Sequence, residues 1–478
     1  MTTKTTIILY GATGDLAKRK LIPALYQLIE KKNFADVIIV GAAFEDVTAD
    51  QMVNAAQPFI TNSNQDCWQQ LHNKSYYKRI DFNNADDFVA LRDFVEQCEK
   101  ENGFEDCNRL FYLATSSNFF CSITSHMSAV GLTTKDSNLV SFPQSNAPAL
   151  RSLVRSKVVY EKPFGHDEQS AHEINECIFS TLDESQVYRI DHYLTKEVVS
   201  NIAMVRFTNC VFEPLWSHRY IDQVQIIASE TVGIENRGSY YDAYGALRDV
   251  MQNHMLELLA LICMETPEKL TGEFVREQRV KVLEKVRFDD GILGQYEGYR
   301  DEKDVKSDSS TDTYASLKLA VDMPRWAGVP FYLKTGKCLD KKETVIHIKF
   351  KQVDCLLMRG CPTESNWLTI KIDPDAVFSL TLNVKHPEAM DQVTPVAMEF
   401  CHSCIFGLKT PLAYEILLEE VMRGEQSISV RFDEIEYAWK LIDAIVHKQL
   451  PVYAYKKGSQ GPQEEQEYTQ KHGMRWRS

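Results

Sequence analysis

The chain has 478 residues, of which 44% are hydrophobic and 25% charged, so it is long enough for two or more domains with cores of their own. The formal net charge of -14 argues against a nucleic-acid partner, because phosphate backbones require a basic surface. No apolar run approaches the ~20 residues of a membrane-spanning helix, and the N-terminus lacks the pattern of a signal peptide. We therefore expect a cytoplasmic protein without membrane association.

The first part of the chain alternates strands with helices. A β-branched apolar run, Thr5–Tyr10, leads into the turn Gly11–Gly14 and then into Asp15–Lys31, whose apolar residues have helical spacing. Further along we predict strands at Val37–Val40, Arg109–Leu113 and Lys157–Tyr160, and a helix at Asp86–Cys98. This alternation predicts a Rossmann-like, doubly wound parallel sheet, which we assign to a dinucleotide-binding domain at residues 1–187.

The remaining part, residues 188–478, reads as a larger α+β domain. Segments of alternating polarity follow one another with few helices between them, which predicts a mostly antiparallel sheet: Val224–Ala228, Ser316–Val321, Thr344–Lys349, Thr369–Ile372 and Ser379–Asn383. Helices are predicted at Tyr240–Met264, Ala413–Met422 and Ile435–His447, the last two placed to cover one face of that sheet. The polar stretch Gly458–Ser478 is predicted to be an exposed tail.

The glycine turn has the composition of a phosphate-binding loop. Between a strand and a helix, glycines let backbone amides approach a pyrophosphate, and the helix N-terminus favours its charge. The match to G-x-G-x-x-G is incomplete, because Leu9 stands at the position of the first glycine. A purely structural turn is the alternative, and the position directly after the first strand argues against it.

Twelve cysteines are scattered without paired spacing, which favours reduced thiols over a disulfide framework. Cys401 and Cys404 form the one near pair. A tetrahedral zinc site needs four ligands, so we expect no metal site.

Four further segments, taken with the glycine turn, form an ordered set of motifs that resembles the glucose-6-phosphate dehydrogenase family. They are Glu161-Lys162-Pro163 within Tyr160–Gly165, the run Arg189–Glu197 containing Asp191-His192-Tyr193, the run Arg248–His254, and the run Arg325–Lys337. The similarity extends from about Ile7 to Pro462. The resemblance implies an NAD(P)-dependent dehydrogenase that oxidises C1 of a hexose 6-phosphate to 6-phosphoglucono-1,5-lactone, the first step of the oxidative pentose phosphate pathway.

The resemblance also implies a role for three residues in the reaction. Oxidising a hemiacetal requires a base near neutral pKa on the C1 hydroxyl, which suits histidine. His254 would be that base, Asp191 would orient it and stabilise the imidazolium, and Lys162 would lie between sugar and nicotinamide. For an isolated histidine a structural role is the commoner explanation, and the surrounding motif favours catalysis.

A sugar phosphate calls for charge-assisted donors. The family's substrate-binding positions fall here on Lys20, Lys162, His192, Tyr193, Lys196, Glu230, Asp249, Lys337 and Lys342. Its coenzyme-binding positions fall on Gly11, Ala12, Thr13, Gly14, Asp15, Leu16, Phe44, Glu45 and Lys162. Isolated charged residues are usually solvated surface groups, which is the alternative explanation for Lys20, Glu230, Asp249, Lys337 and Lys342.

Two departures from the family pattern bear on the coenzyme and the phosphate. Phe44 and Glu45 stand where NADP-using members carry an arginine for the 2′-phosphate, so we expect NAD to be used at least as well as NADP, unless Lys18 or Arg19 compensates. Thr195 replaces a usual glycine, and any positive φ at that position would be strained.

Two other classes stay open from the sequence. A sugar or cyclitol oxidoreductase of the glucose–fructose oxidoreductase type shares the Rossmann domain and the Glu-Lys-Pro turn. A non-catalytic sugar-phosphate sensor could retain the fold. Family resemblance implies a homodimer or homotetramer formed through the second domain's sheet.

Overall fold

The computed structural model describes residues 4–31, 36–60, 64–104, 107–136, 156–353, 363–387, 393–401 and 413–477. Within these ranges the chain forms two compact units. The first comprises residues 1–195, 271–273 and 411–435, and the second comprises 196–270, 274–410 and 436–478. No described helix is both long and apolar enough to cross a membrane.

Sixteen strands are found in the described residues. They are β1 (Thr5–Tyr10), β2 (Val37–Ala43), β3 (Ser75–Arg79), β4 (Asn108–Leu113), β5 (Ser156–Glu161), β6 (Val187–Ile190), β7 (Ile221–Ser229), β8 (Val286–Tyr296), β9 (Tyr314–Val321), β10 (Phe331–Gly336), β11 (Glu343–Phe350), β12 (Trp367–Asp373), β13 (Val377–Lys385), β14 (Val393–Cys401), β15 (Ser429–Val430) and β16 (Val452–Tyr455).

Helices connect and cover these strands in the described residues. They are α1 (Ile22–Glu30), α2 (Ala49–Asn54), α3 (Gln65–Asn73), α4 (Ala85–Glu101), α5 (Phe120–Ala129), α6 (Glu168–Thr181), α7 (Glu197–Thr208), α8 (Gly238–Ala246), α9 (Leu256–Cys263), α10 (Gly272–Leu283), α11 (Ala413–Arg423), α12 (Phe432–Val446) and α13 (Glu465–Lys471). Two π-helical segments, Ala17–Leu21 and Leu247–Met255, precede α1 and α9.

The first unit is built on a seven-stranded sheet in the order β15-β6-β5-β4-β1-β2-β3. All neighbours are parallel except β15, which runs antiparallel to β6. Alternate side chains of β1 enter opposite cores, Ile7 packing in the same cluster as Leu25 and Ile8 packing with Leu91. Because both faces are covered, the strands are apolar throughout, and the predicted doubly wound sheet is confirmed.

The second unit contains a nine-stranded sheet in the order β14-β13-β12-β11-β7-β10-β9-β8-β16. Its pairs are antiparallel except β7 with β10 and β8 with β16. The π-helical segment contacts β9 and β10, and α9 behind it is buried along its whole length. The mostly antiparallel sheet predicted from alternating polarity is confirmed.

Four details of the sequence prediction were wrong. The stretch predicted as one helix, Tyr240–Met264, is interrupted at Gly245 (φ 67°, ψ -179°) and continues as the π-helical segment. The helix predicted at Ala413–Met422 belongs to the first unit, where α11 packs against α1 rather than on the second sheet. An apolar helix face does not indicate which sheet it covers.

The other two wrong predictions concern the C-terminus and the thiols. The predicted tail contains α13, whose Tyr468 is 4% exposed, and Met474 beyond it is 5% exposed. Cys121 on α5 and Cys177 on α6 are joined by a disulfide, with Cα atoms 5.8 Å apart, because these two helices pack side by side. Cys404 lies outside the described residues.

Candidate active site

Several predicted site residues of the first unit follow the carboxyl ends of parallel strands. The glycine turn follows β1, Phe44 follows β2, Lys162 follows β5 and Asp191 follows β6. The strand order reverses between β1 and β4, and ligands of doubly wound sheets bind outside the carboxyl ends of strands at such a point. The fold therefore brings these segments to one edge of the sheet.

The glycine turn is held close to the sheet. Gly11 has φ 75°, and its N–H donates to the carbonyl of Ala42 over 2.8 Å. A Cβ at Gly11 would lie 2.5 Å from the carbonyl oxygen of Ala114, and one at Gly14 would lie 3.1 Å from that of Gly11. Only glycine fits at Gly11, and a side chain at Gly14 would be crowded, so the turn has the close backbone approach that a dinucleotide pyrophosphate requires.

An acidic bend follows β2. The Thr13 hydroxyl donates to the Glu45 carboxylate over 2.5 Å, and the Tyr77 hydroxyl donates to the Glu45 carbonyl over 2.6 Å. Phe44 is 40% exposed and packs its ring against Phe82 at 4.5 Å. These contacts fix the Glu45 carboxylate beside the glycine turn.

Two arginines of the first unit, Arg19 and Arg79, each have a hydrogen-bond partner within the protein. Arg19 pairs with Asp15 at 2.7 Å and lies over the ring of Phe59. Arg79, at the end of β3, donates from Nε to the carbonyl of Phe44 over 3.0 Å. Arg79 is not among the residues predicted from the sequence, although its position at the end of the strand next to β2 is a usable signal.

Lys162 is half-buried and is followed by a cis peptide bond to Pro163. The preceding residue, Glu161, accepts hydrogen bonds from the hydroxyls of Tyr112, over 2.5 Å, and Tyr414. Burial raises the pKa of Glu161 to about 7, while both tyrosines and the neighbouring Lys162 oppose that shift. The chain thus holds a carboxyl group that titrates near neutral pH directly before Lys162.

The turn after β6 is ordered by Asp191, which is buried. Its carboxylate accepts from the backbone N–H of Tyr193 over 2.9 Å, and its carbonyl accepts from Leu194. His192 and Tyr193 have their rings in edge-to-face contact. Thr195 is not among the described residues with positive φ, and its hydroxyl donates to the carbonyl of His192, so the turn accommodates a threonine without backbone strain.

In the second unit, the π-helical segment carries Asp249 and His254, both buried. The Tyr240 hydroxyl donates to the Asp249 carboxylate over 3.4 Å, and the backbone N–H of His254 donates to the Asn253 side chain over 2.7 Å. A π-helix is rare and occurs frequently at functional sites, because its wider turn re-aims side chains.

Glu230 and Lys337 lie together in the second unit, at the ends of the paired strands β7 and β10. The Lys337 ammonium donates to the Glu230 carboxylate over 2.7 Å and lies 5.2 Å from the centre of the Tyr241 ring. Lys337 is 2% exposed. The buried ammonium thus fixes the position of the Glu230 carboxylate, which is partly exposed and could accept from a hydroxyl group of a ligand.

Lys196 and Lys342 are brought together by Asp373, a residue that sequence reasoning missed. The Lys196 ammonium lies 3.9 Å from one Asp373 carboxylate oxygen, and that of Lys342 lies 3.3 Å from the other. An aspartate at a strand end gives no distinctive sequence signal. Lys20 is exposed on the π-helical segment Ala17–Leu21, in the first unit.

Comparison with known proteins agrees with this architecture. Residues 8–201 match the model of the glucose-6-phosphate dehydrogenase NAD-binding domain, and residues 203–477 match that of its C-terminal domain. The chain is 36% identical to a glucose-6-phosphate 1-dehydrogenase of Chlamydia muridarum, covering 99% of this chain and 96% of the relative. It is 35% identical to one of Bacillus subtilis, covering 99% and 98%.

Among solved structures, one titled as glucose-6-phosphate dehydrogenase in complex with its substrate glucose-6-phosphate is similar, with a TM-score of 0.91 and 30% identity over 100% of both chains. Levoglucosan dehydrogenase, with a TM-score of 0.50 and 11% identity, shares only the fold. Both halves of the sequence and the whole structure therefore agree: the chain belongs to the glucose-6-phosphate dehydrogenase family and is an NAD(P)-dependent oxidoreductase acting on a CH–OH group.

Proposed function

We propose that the chain oxidises glucose 6-phosphate at C1 to 6-phosphoglucono-1,5-lactone, an entry reaction of the pentose phosphate pathway. The observation that carries this proposal is the full-length similarity to a dehydrogenase solved with glucose 6-phosphate. The acid–base and cationic residues that the reaction needs are present in the chain, on ordered elements of the two units.

His254 is the proposed base. Removing the C1 hydroxyl proton as hydride leaves requires an acceptor of near-neutral pKa, and an imidazole meets that requirement. Asp191 is the proposed carboxylate that fixes the tautomer and stabilises the imidazolium. Support comes from the burial of both residues and from the backbone hydrogen bond that holds the Asp191 carboxylate.

The dinucleotide would be held by the glycine turn, whose geometry fits a pyrophosphate, with Ala12, Thr13, Asp15 and Leu16 around it. When bound, NAD(P)+ supplies the acceptor for the hydride that leaves C1. Lys162 would bind and polarise the sugar oxygen, since its ammonium carries a charge on a side chain that is only half-buried.

The remaining cationic and polar groups would hold the substrate. His192, Tyr193, Lys196 and Lys342 are proposed for the phosphate, and Lys20, Glu230, Asp249 and Lys337 for the sugar hydroxyls and phosphate. The pairing of two lysines on one carboxylate supports an anion-binding role, because a phosphate would compete for the same donors.

For the coenzyme we propose that NAD is used at least as well as NADP. The Glu45 carboxylate is fixed next to the glycine turn, where it would accept from a ribose 2′-hydroxyl and repel a 2′-phosphate. Arg79 lies beside the same bend and is the residue through which NADP use would be supported.

Steady-state kinetics with both coenzymes test this preference. We expect kcat/KM for NAD to equal or exceed that for NADP, and Glu45→Gln to raise the value for NADP by about tenfold, the effect of ~1.4 kcal/mol. Arg79→Met should lower NADP use while leaving NAD use unchanged. A hundredfold preference of the wild type for NADP would reject the proposal.

The oligomer is proposed to form through the second unit's sheet, as a homodimer or homotetramer. Four exposed apolar side chains lie on one face of the edge pair β13 and β14: Val384, Val396, Met398 and Phe400. A contiguous apolar strip at a sheet edge is typical of a surface that another subunit covers.

The substrate is tested by coenzyme reduction with glucose 6-phosphate, glucose, and 2-amino and 3-amino hexose phosphates. We expect glucose 6-phosphate to give the highest kcat/KM and glucose to give at most a few per cent of it. Equal rates with glucose 6-phosphate and with glucose would instead favour a sugar oxidoreductase. No coenzyme reduction with any of these compounds would favour a sensor.

A further inference from the structure

The start of the π-helical segment, Leu247–Met255, is held by two hydrogen bonds to one buried aspartate, Asp312. The backbone N–H of Leu247 donates to the Asp312 side chain over 2.8 Å, and that of Ala246 donates to the Asp312 carbonyl over 2.8 Å. Asp312 is 8% exposed. Unsatisfied N–H groups at a helix start favour an acceptor at that position. Burial raises the pKa of Asp312 to about 6, and the hydrogen bonds from Leu247 and Ala246 oppose that shift.

Gly245 makes this contact possible. Its φ of 67° breaks α8 from the π-helical segment, and a Cβ at this position would lie 2.6 Å from the Asp312 carboxylate. An L-residue would therefore be strained in the backbone and would collide with the carboxylate. The absence of a side chain at Gly245 therefore leaves the space that the Asp312 carboxylate occupies.

Thr313, the residue after Asp312, is hydrogen-bonded to the strand end that carries Lys337. The carbonyl of Thr313 accepts from the backbone N–H of Lys337 over 3.0 Å, and its own N–H donates to Gly294 over 2.7 Å. Two consecutive residues therefore hold the segment that carries Asp249 and His254 and the strand end that carries Lys337.

We propose that Asp312 is a positioning residue, which sets the start of the π-helical segment so that His254 and Asp249 are held in register with Lys337. Asp312 touches none of the reacting atoms in this proposal. It rests on the proposed function of His254, and it predicts an effect on catalysis that is separable from an effect on folding.

The test is kinetic, with Asp312→Ala and Asp312→Asn compared. Alanine removes the acceptor, and we expect kcat to fall about 10–100-fold with KM changed less than threefold, since a shift of about 1 Å at a catalytic group costs up to ~10²-fold. Asparagine keeps a side-chain oxygen for the Leu247 N–H and should restore kcat to within about threefold of wild type.

Asp242 provides a matched control on the preceding helix. Its carboxylate accepts from the Tyr299 hydroxyl over 3.1 Å and from the Ser309 hydroxyl over 2.5 Å, so it also ties a loop to a helix, but it lies before the kink. Asp242→Ala should lower the thermal unfolding midpoint while leaving kcat near the wild-type value.

If Asp312→Ala is recovered unfolded, Asp312→Glu takes its place, because it keeps the charge and displaces the acceptor by one methylene. We expect this variant to lower kcat about tenfold with KM kept. A folded Asp312→Ala or Asp312→Glu variant with wild-type kcat would overturn the positioning role, and so would an equal loss of kcat in Asp242→Ala. An inactive wild type would instead refute the proposed function, so the two failures are distinguishable.

Discussion

Two lysines of the second unit, Lys196 and Lys342, bind different oxygens of one carboxylate, that of Asp373. In the proposed phosphate site, a phosphate would compete with Asp373 for these donors, because it carries more negative charge than a carboxylate and offers three acceptor oxygens. The side chain of Lys196 is 26% exposed. A ligand can therefore reach the ammonium.

Removing Lys196 should weaken substrate binding more than it slows chemistry. We expect Lys196→Ala to raise KM for glucose 6-phosphate about 10–100-fold, with kcat lowered less than threefold, the pattern of a lost ground-state contact. Lys349→Ala is the matched control, because Lys349 pairs with Asp222 over 2.9 Å elsewhere in the second unit. An unchanged KM in Lys196→Ala would remove this residue from the phosphate site.

Individual residues differed in how far the sequence could predict them. Glu45 stands where the family's NADP-using members carry an arginine, which is why the sequence predicts a preference for a free ribose 2′-hydroxyl, and the structure fixes its carboxylate beside the glycine turn. Asp373 and Asp312 gave no such signal. Their significance depends on which backbone or side-chain donors the fold brings to them.

At the scale of elements, strand β5 ends in a carboxyl group whose pKa lies near neutrality. Burial raises the pKa of Glu161 to about 7, against donation from Tyr112 and Tyr414 and the charge of Lys162, while Asp191 adds to the increase. The folded state thus holds this proton more tightly than the unfolded chain does. The resulting stability is present in full below pH 4.5 and is lost as pH rises through about 7.

Replacing Glu161 with glutamine should flatten this dependence. We expect the free energy of unfolding of wild type, measured by urea denaturation, to fall by up to about 3 kcal/mol between pH 4.5 and 7.5 relative to Glu161→Gln. Glu168→Gln, at an exposed position in the first turn of α6, should keep the wild-type slope. Parallel pH profiles for wild type and Glu161→Gln would contradict the assignment.

Elements with strong periodicity were predicted well, and their irregularities were not. Strand β1 was predicted with its observed bounds because an unbroken β-branched run between turn signals admits few alternatives. The π-helical segment was predicted as ordinary helix. Its apolar spacing is close to helical, and the break at Gly245 depends on Asp312, which lies more than sixty residues further along the chain.

The features of the chain that were predicted wrongly depend on packing between segments far apart in sequence. The C-terminal segment appeared to be a polar tail, yet Glu465 is buried and accepts from the hydroxyls of Tyr314, over 2.7 Å, and Ser316. Composition describes what a segment can do alone. It does not predict that a buried polar group of α13, Glu465, forms hydrogen bonds with β9, which lies far away in the sequence.

The exposed strip on β13 and β14 leads to a prediction about assembly. Introducing a charge with Met398→Glu should shift the sedimentation-equilibrium mass towards the monomer, because desolvating an unpaired carboxylate at an interface is costly. Val89→Glu, at an exposed apolar position of α4, should leave the mass unchanged. A monomeric wild type, or an unchanged mass for Met398→Glu, would contradict assembly through this face.

In the proposed reaction, His254 on the π-helical segment removes the C1 hydroxyl proton of glucose 6-phosphate. The most direct measurement is the kcat of coenzyme reduction for wild type and His254→Asn, with the substrate Kd measured for both. We expect a loss of kcat of about 10²–10⁴-fold with Kd changed less than threefold, as the assignment of His254 as the base requires. A His254→Asn variant that is folded and retains more than a tenth of the wild-type kcat would contradict it.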